Sequence, residues 1–261
     1  MSPNAPQYVP GHQLLAGKNA VVTAAAGTGI GFAAAKRCIE EGARVLISDI
    51  HERRLGEAVD RLEAETGQRP ASALCNVTIE VDVTNLVATA VRELGGIDVM
   101  INNAGLGGTA NLVDMTDDQW NVVIDVTLNG TMRATRAVLR HMIERGSGGA
   151  IVNNASVVGW RAQAGQAHYA AAKAGVMALT RCAAMEAAPH GIRVNCVAPS
   201  LAMHPFLAKV STQEFLDSLI SLEAFNRPAE TWEIANVMVF LASEYSSYMT
   251  GEVLAVSNQH P

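Results

Sequence analysis

Tyr169 and Lys173 stand four residues apart in an alanine-rich stretch, so on a helix they share one face with about 5–6 Å between them. A free tyrosine titrates near about 10, too high for ready proton exchange at neutral pH. An ammonium at that separation favours phenolate over phenol and makes a usable base. Ser156 comes thirteen residues before the tyrosine and follows the strand-like run Ala150-Ile151-Val152-Asn153-Asn154. A hydroxyl at a strand end can be aimed at a substrate oxygen. Taken singly, the pair reads as surface neighbours and the serine as a turn or cap. Their joint placement points to proton handling at an oxygen.

A second group supplies a phosphate site. Val21-Val22-Thr23 reads as a buried strand that runs through Ala24-Ala25-Ala26-Gly27-Thr28-Gly29-Ile30-Gly31 into a helix. Glycines let the backbone turn sharply and come close to a pyrophosphate, which sits against free amides at a helix N-terminus. Gly27, Thr28, Gly29 and Ile30 are the candidate contacts. Asp49 closes the apolar run Arg44-Val45-Leu46-Ile47-Ser48, about 20 residues on, where a carboxylate accepts from a ribose 2′-hydroxyl and repels a 2′-phosphate. Ile50 follows it, and Arg53 and Arg54 fall on the exposed face of the next helix. The expected cofactor is therefore NAD, with NADP less favoured.

The elements that must hold these residues alternate. Helices are predicted over 30–41, 52–66, from 83 to the Gly95-Gly96 stop, 116–145 and 167–188. Strands are predicted around 21–23, 44–49, 71–75, 97–101, 150–154, 193–197 and 253–256. Strands and helices in this order imply an α/β fold: a doubly wound parallel sheet of about seven strands with helices on both faces and right-handed crossovers, Rossmann-like. Ligands of such sheets bind beyond the carboxyl ends of the strands.

The chain has 261 residues and a net charge of −6, without a basic run, which argues against nucleic acid or an anionic membrane as partner. A small-molecule substrate is expected. Cys38, Cys75, Cys182 and Cys196 lack C-x-x-C or metal-site spacing and read as thiols in a reduced compartment, the cytoplasm. No metal site is expected. Prolines at 3, 6 and 10 mark residues 1–16 as a loose N-terminal extension, with one catalytic and dinucleotide-binding domain over 17–261.

With these residues in place, the chain resembles a short-chain dehydrogenase/reductase from about Lys18 to Val256. The resemblance rests on the glycine turn, Asn102-Asn103-Ala104-Gly105, Ser156, Tyr169-Ala170-Ala171-Ala172-Lys173 and Asn195-Cys196-Val197-Ala198-Pro199. It implies that Tyr169 passes a proton to or from the substrate oxygen and that Ser156 orients that oxygen. Lys173 would hold the nicotinamide ribose and assist the tyrosine while hydride moves between nicotinamide and a carbinol carbon. It also implies cofactor contacts at Asn76, Val77, Asn103, Ala104, Gly105, Tyr169, Lys173 and Pro199. A homotetramer or homodimer through the two long helices is implied as well.

The chain departs from the family pattern in several places. The glycine turn is one residue longer. Asn76 replaces an aspartate, and its side-chain oxygen can still accept from an adenine amino group. Thr127 falls on the asparagine of the family's catalytic tetrad and is counted with the catalytic candidates; either its hydroxyl serves the proton relay or the relay runs elsewhere. Pro199-Ser200 replaces Pro-Gly, and His204 stands where a threonine is common.

The stretch 201–225 supplies Met203, Phe206, Leu207, Phe215 and Leu219, and Trp160 follows the serine, which suggests an apolar substrate. Ser48-Asp49-Ile50-His51-Glu52-Arg53-Arg54-Leu55, Thr127 and Ser257-Asn258-Gln259-His260 resemble an actinobacterial group linked to breakdown of steroid rings. That resemblance implies a hydroxylated bicyclic acid or its CoA thioester as substrate. The alternatives are a 3-oxoacyl thioester reductase and, in a different class, a catalytically weak NAD-binding sensor or scaffold.

Overall fold

The computed structural model describes residues 6–203 and 213–258. Within them seven parallel strands form one sheet in the order β3-β2-β1-β4-β5-β6-β7. The strands are β1 (Asn19–Thr23), β2 (Arg44–Asp49), β3 (Ala71–Leu74), β4 (Val99–Asn102), β5 (Gly149–Asn154), β6 (Ile192–Pro199) and β7 (Val253–Val256). The connecting helices are α1 (Ile30–Glu40), α2 (Glu52–Thr66), α3 (Glu80–Leu94), α4 (Asp117–Ile124), α5 (Gly130–Arg145), α6 (Ala167–Ala187), α7 (Gln213–Ile220) and α8 (Thr231–Ala242). The order reverses between β1 and β4, which opens a crevice at the carboxyl ends there.

The sheet is apolar on both faces because helices cover both. On one side Phe32, Ile39, Leu62, Ile234 and Met238 pack with Val22, Ile47 and Ile101. On the other, Leu86, Val138, Met142, Ala183 and Ala187 pack with Val21, Leu46 and Met100. Strand register brings Thr23 level with Ser48, Asn102 level with Asn153, and Asn154 level with Val197, so one edge of the sheet collects the polar residues.

Three elements differ from expectation for identifiable reasons. α3 starts at Glu80, ahead of its apolar stripe, because Glu80 and Asp82 suit the positive end of the helix. The long helix expected over 116–145 is broken by a π segment, Asp125–Asn129, between α4 and α5. α8 was not expected at all: its buried face carries Ile234, Ala235, Met238, Val239, Leu241 and Ala242, and the opposite side is apolar as well, with Trp232, Val237 and Phe240 half-buried, which weakens the amphipathic signature.

The N-terminal arm also departs from the sequence reading. Residues 8–16 do not stand free but lie along α1. Arg37 Nη2 pairs with Glu41 at 2.8 Å, both side chains being buried. Arg37 also donates to the Val9 and Pro10 carbonyls, and Glu41 Oε2 accepts from the His12 and Leu14 amides at 2.8 and 3.0 Å. Tyr8 donates to Glu40 and meets Trp232 edge-on at 5.3 Å. A buried charge pair is tolerable when most of its remaining donors and acceptors are used; the arm backbone engages Glu41 Oε2 and both terminal nitrogens of Arg37, while Arg37 Nε stays without a hydrogen-bond partner. Among the described residues no helix is long and apolar enough to cross a membrane, and no group of side chains could hold a metal ion.

Candidate active site

The glycine turn is built by exclusion. A Cβ on Gly31 would lie 2.4 Å from both the Ala24 carbonyl oxygen and Asn103 Nδ2, so only glycine lets α1 begin this close to β1 and β4. Gly27 takes φ +144 and Ala24 takes φ 51, a left-handed conformation that costs a non-glycine residue about 1–2 kcal/mol. Gly29 caps α1, and no side chain among the described residues bonds its first amides, leaving donors for an anion.

Asp49 stands beside this turn, 8% exposed. Its Oδ2 accepts from the Ala26 amide at 3.2 Å and its Oδ1 from the His51 amide at 3.1 Å. Burial raises its pKa, against the lowering effect of the Ala26 amide and of Arg54 nearby. The carboxylate, the uncapped helix start and the glycine turn together fit the adenosine and pyrophosphate of a dinucleotide.

Asn76 does otherwise than predicted. Its Oδ1 accepts from both the Thr78 amide, at 3.1 Å, and the Thr78 hydroxyl, at 2.9 Å. The oxygen assigned to adenine closes an internal turn instead. Val77 is buried against Gly130, whose Cβ would lie 2.7 Å from Val77 Cγ2.

Asn103 is a brace. Its amide and that of Ala104 donate to Thr23 Oγ1 at 3.0 and 3.1 Å, its Nδ2 donates to the Ala24 carbonyl at 3.1 Å, and its Oδ1 accepts from Asn154 Nδ2 at 2.9 Å. Asn154 in turn offers its carbonyl to Lys173 Nζ at 2.5 Å. One chain of contacts therefore runs from the glycine turn through Asn103 and Asn154 to the lysine. Thr23 and Asn154 were missed as site residues in the sequence; only their position at strand ends marks them.

α6 carries Tyr169 and Lys173 on one face, as the spacing predicted. Lys173 is 3% exposed and its Nζ lies 5.5 Å from the centroid of the Tyr169 ring. Gly105 lies against this lysine, since a Cβ there would be 3.3 Å from Nζ. Ser156 lies two residues beyond the end of β5 in extended conformation, and its Oγ accepts from the Val158 amide at 3.2 Å, which leaves the hydroxyl proton to donate. Gly159 lets the turn after Ser156 touch α6, because a Cβ there would be 3.0 Å from the Ala174 amide nitrogen. Pro199 is buried at the end of β6, level with Val256.

Thr127 is fully buried in the π segment. Its Oγ1 accepts from the Leu106 amide at 2.9 Å and donates to the Leu106 carbonyl at 3.1 Å. The single hydroxyl proton is spent on Leu106, a positioning contact that favours the second of the two sequence alternatives, a relay that runs elsewhere, over a catalytic role for Thr127. π bulges recur at functional positions, and this one turns Thr127 toward the loop beside Tyr169.

The apolar candidates divide. Trp160 and Phe225 are 50% and 65% exposed, and Met203 donates its amide to the Ala229 carbonyl at 3.1 Å. His204, Phe206, Leu207, Gln259, His260 and the side chain of Phe215 lie outside the described residues. A separate cavity of about 480 Å³, walled in part by Lys18, Asp98 and Arg193, opens at the amino ends of the strands, away from this chemistry.

Comparison with known proteins agrees with the geometry. A family model described as Enoyl-(Acyl carrier protein) reductase matches residues 24–258. A (5R,7aS)-5-hydroxy-7a-methyl-1-oxo-2,3,5,6,7,7a-hexahydro-1H-indene-carboxyl-CoA reductase of Mycobacterium tuberculosis is 57% identical over 98% of each chain. A 3-oxoacyl-[acyl-carrier-protein] reductase of Thermotoga maritima is 40% identical over 93% of this chain and 97% of its own. The crystal structure of a short chain dehydrogenase from Mycobacterium smegmatis superposes with a TM-score of 0.88 at 53% identity, covering 99% of both chains. The glycine turn, the Tyr169–Lys173 face, Ser156 just beyond the end of β5 and these matches make the chain a member of the short-chain dehydrogenase/reductase family, an oxidoreductase acting on CH–OH groups with a nicotinamide cofactor.

Proposed function

We propose that the protein interconverts a secondary alcohol and a ketone on a steroid-derived bicyclic acid carried as a CoA thioester, using NAD in preference to NADP. The substrate class is supported by the 57% identity to the hydroindane-carboxyl-CoA reductase; the relatives that reduce 3-oxoacyl groups are more distant, at 40% identity. The cofactor preference is supported by the Asp49 carboxylate beside the turn and by Ile50 after it.

The bound cofactor would supply hydride exchange at its nicotinamide. Tyr169 then exchanges a proton with the substrate oxygen through its phenolic Oη, and Ser156 donates its hydroxyl proton to that oxygen and orients it. Lys173 places its ammonium beside the phenol, fixed by the Asn154 carbonyl, and would hold the ribose hydroxyls. Gly27, Thr28, Gly29 and Ile30 would hold the pyrophosphate, and Val77, Ala104, Gly105 and Pro199 would contact the rest of the dinucleotide. The four cysteines are free thiols, which supports a reduced, cytoplasmic setting. Assembly into a homotetramer or homodimer through α4–α5 and α6 completes the reading, and sedimentation velocity tests it.

The observation that carries the proposal is the juxtaposition of Lys173 and Tyr169 at 5.5 Å beside a dinucleotide crevice. The test is turnover, resolved by mass, of a hydroxylated hydroindane carboxyl-CoA and of acetoacetyl-CoA with NAD(H). Turnover of the first in preference to the second is expected. Failure of every ring-containing alcohol and ketone removes the ring reading, and NADH binding without any turnover leaves a sensor or scaffold.

A further inference from the structure

Three glycines in the connection between β4 and α4 face three side chains of one helix. A Cβ on Gly105 would lie 3.3 Å from Lys173 Nζ, one on Gly107 3.7 and 3.8 Å from Tyr169 Cδ2 and Cε2, and one on Gly108 3.1 Å from His168 Nε2. None of the three takes a left-handed backbone. Gly107 is the one where a methyl group would make ordinary van der Waals contact, so neither backbone strain nor a clash requires glycine there.

The surrounding backbone is fixed. Thr127 holds Leu106 by its amide and its carbonyl. Gln166 Nε2 donates to the Gly108 carbonyl at 2.8 Å, and the Ala110 amide donates to the Gly165 carbonyl at 3.0 Å. The unfilled space at Gly107 is therefore a feature of fixed shape next to the catalytic ring. Tyr169 Cε2 is the carbon ortho to the one bearing the phenolic oxygen. A carbinol within hydrogen-bond reach of that oxygen, about 2.6–3.2 Å, brings its substituents close to the ring edges beside it, and Gly107 borders one of these edges.

We infer that Gly107 is a specificity-determining position, whose missing side chain admits the second ring of a fused bicyclic substrate beside Tyr169. The inference rests on the ring-substrate reading above. An acyclic chain can rotate about single bonds to pass a methyl group at this edge. A fused ring has both carbinol substituents tied together and cannot turn away, so the free volume must be provided by the protein.

The test compares wild type with Gly107→Ala on a hydroxylated hydroindane carboxyl-CoA, with NADH binding followed by fluorescence and turnover followed across pH. The added methyl is expected to lower kcat/KM for the ring substrate by about tenfold or more, within the 10–200-fold effect of one misplaced methylene in an apolar pocket. NADH affinity and the pH profile are expected to stay within twofold and unshifted. An active wild type matched by an equally active variant overturns the inference alone. So does a loss accompanied by a shifted pH profile or weakened NADH binding, because the methyl group would then act by displacing Tyr169 or the cofactor. A wild type inert toward the ring thioester refutes the ring reading itself, and the inference falls with it.

Discussion

Lys173 Nζ stands 5.5 Å from the centroid of the Tyr169 ring and is held there by a 2.5 Å bond to the Asn154 carbonyl. The ammonium is 3% exposed, and a buried charge persists only where it has a partner. Asn154 supplies that partner and is itself bonded to Asn103, which braces the glycine turn. The cation beside the phenol and the crevice for the dinucleotide are thus parts of one polar network.

The left-handed conformation of Ala24, φ 51, predicts that Ala24→Gly raises stability by up to about 1 kcal/mol, the usual effect of relieving a positive φ. Gly31→Ala should do the opposite: its Cβ would lie 2.4 Å from the Ala24 oxygen and Asn103 Nδ2, and the displacement should cost about 1–3 kcal/mol and weaken NADH binding. Urea unfolding of both variants checks this, and a stable, NADH-binding Gly31→Ala would contradict the close approach.

Thr127→Val keeps the side-chain volume but removes the partner of the Leu106 amide and carbonyl, at about 0.5–1.5 kcal/mol for an ordinary hydrogen bond, because Leu106 is exposed. Turnover is expected to fall, and Thr127→Ser to restore most of it. Because the Thr127 proton is spent on Leu106, the pH profile should not move in either variant. Steady-state kinetics across pH read both quantities, and a shifted profile in Thr127→Val would return the threonine to the proton relay.

Removing the Asp49 carboxylate removes an acceptor for a ribose 2′-hydroxyl and a repulsive charge toward a 2′-phosphate. Asp49→Ala is expected to lower the ratio of kcat/KM for NADH over NADPH by about tenfold or more, the scale of one hydrogen bond to a charged group. An unchanged ratio would place cofactor selection elsewhere.

Arg227 forks onto Glu233 with bonds of 2.7 and 2.8 Å, and the amide of Ala229, two residues on, donates to the Leu201 carbonyl at 2.8 Å. The bond from Arg227 holds the Glu233 carboxyl below its ordinary value of 4.5, with burial opposing it. A lowered acid contributes stability above its unfolded pKa and loses that contribution as the pH falls through the folded value. Glu233→Gln should therefore melt below wild type at pH 7, and the gap should close as the pH drops below 4.5. A gap independent of pH would contradict the ion pair's role.

Much of this architecture was legible because period and punctuation agreed. The apolar stripe stopped by Gly95, which is left-handed, marks α3, the amphipathic run over 52–66 marks α2, and the strand runs fall where apolar residues on both faces require them. The Tyr169–Lys173 face followed from helical spacing alone. What the sequence hid depends on contacts distant along the chain. The clasp of Arg37 and Glu41 on the N-terminal arm, the turn that occupies Asn76, and the spending of the Thr127 hydroxyl on Leu106 are each invisible to local pattern. α8 was hidden for the opposite reason, since apolar residues on both of its sides weaken the periodicity that reveals a helix.

The most direct test of proton exchange at Tyr169 is the turnover of Tyr169→Phe on a ring-bearing secondary alcohol, with NADH affinity measured on the same preparation. Loss of general acid–base catalysis should lower kcat by about 10²–10⁴-fold while NADH affinity is retained. A Tyr169→Phe protein that turns over as fast as wild type would contradict the account.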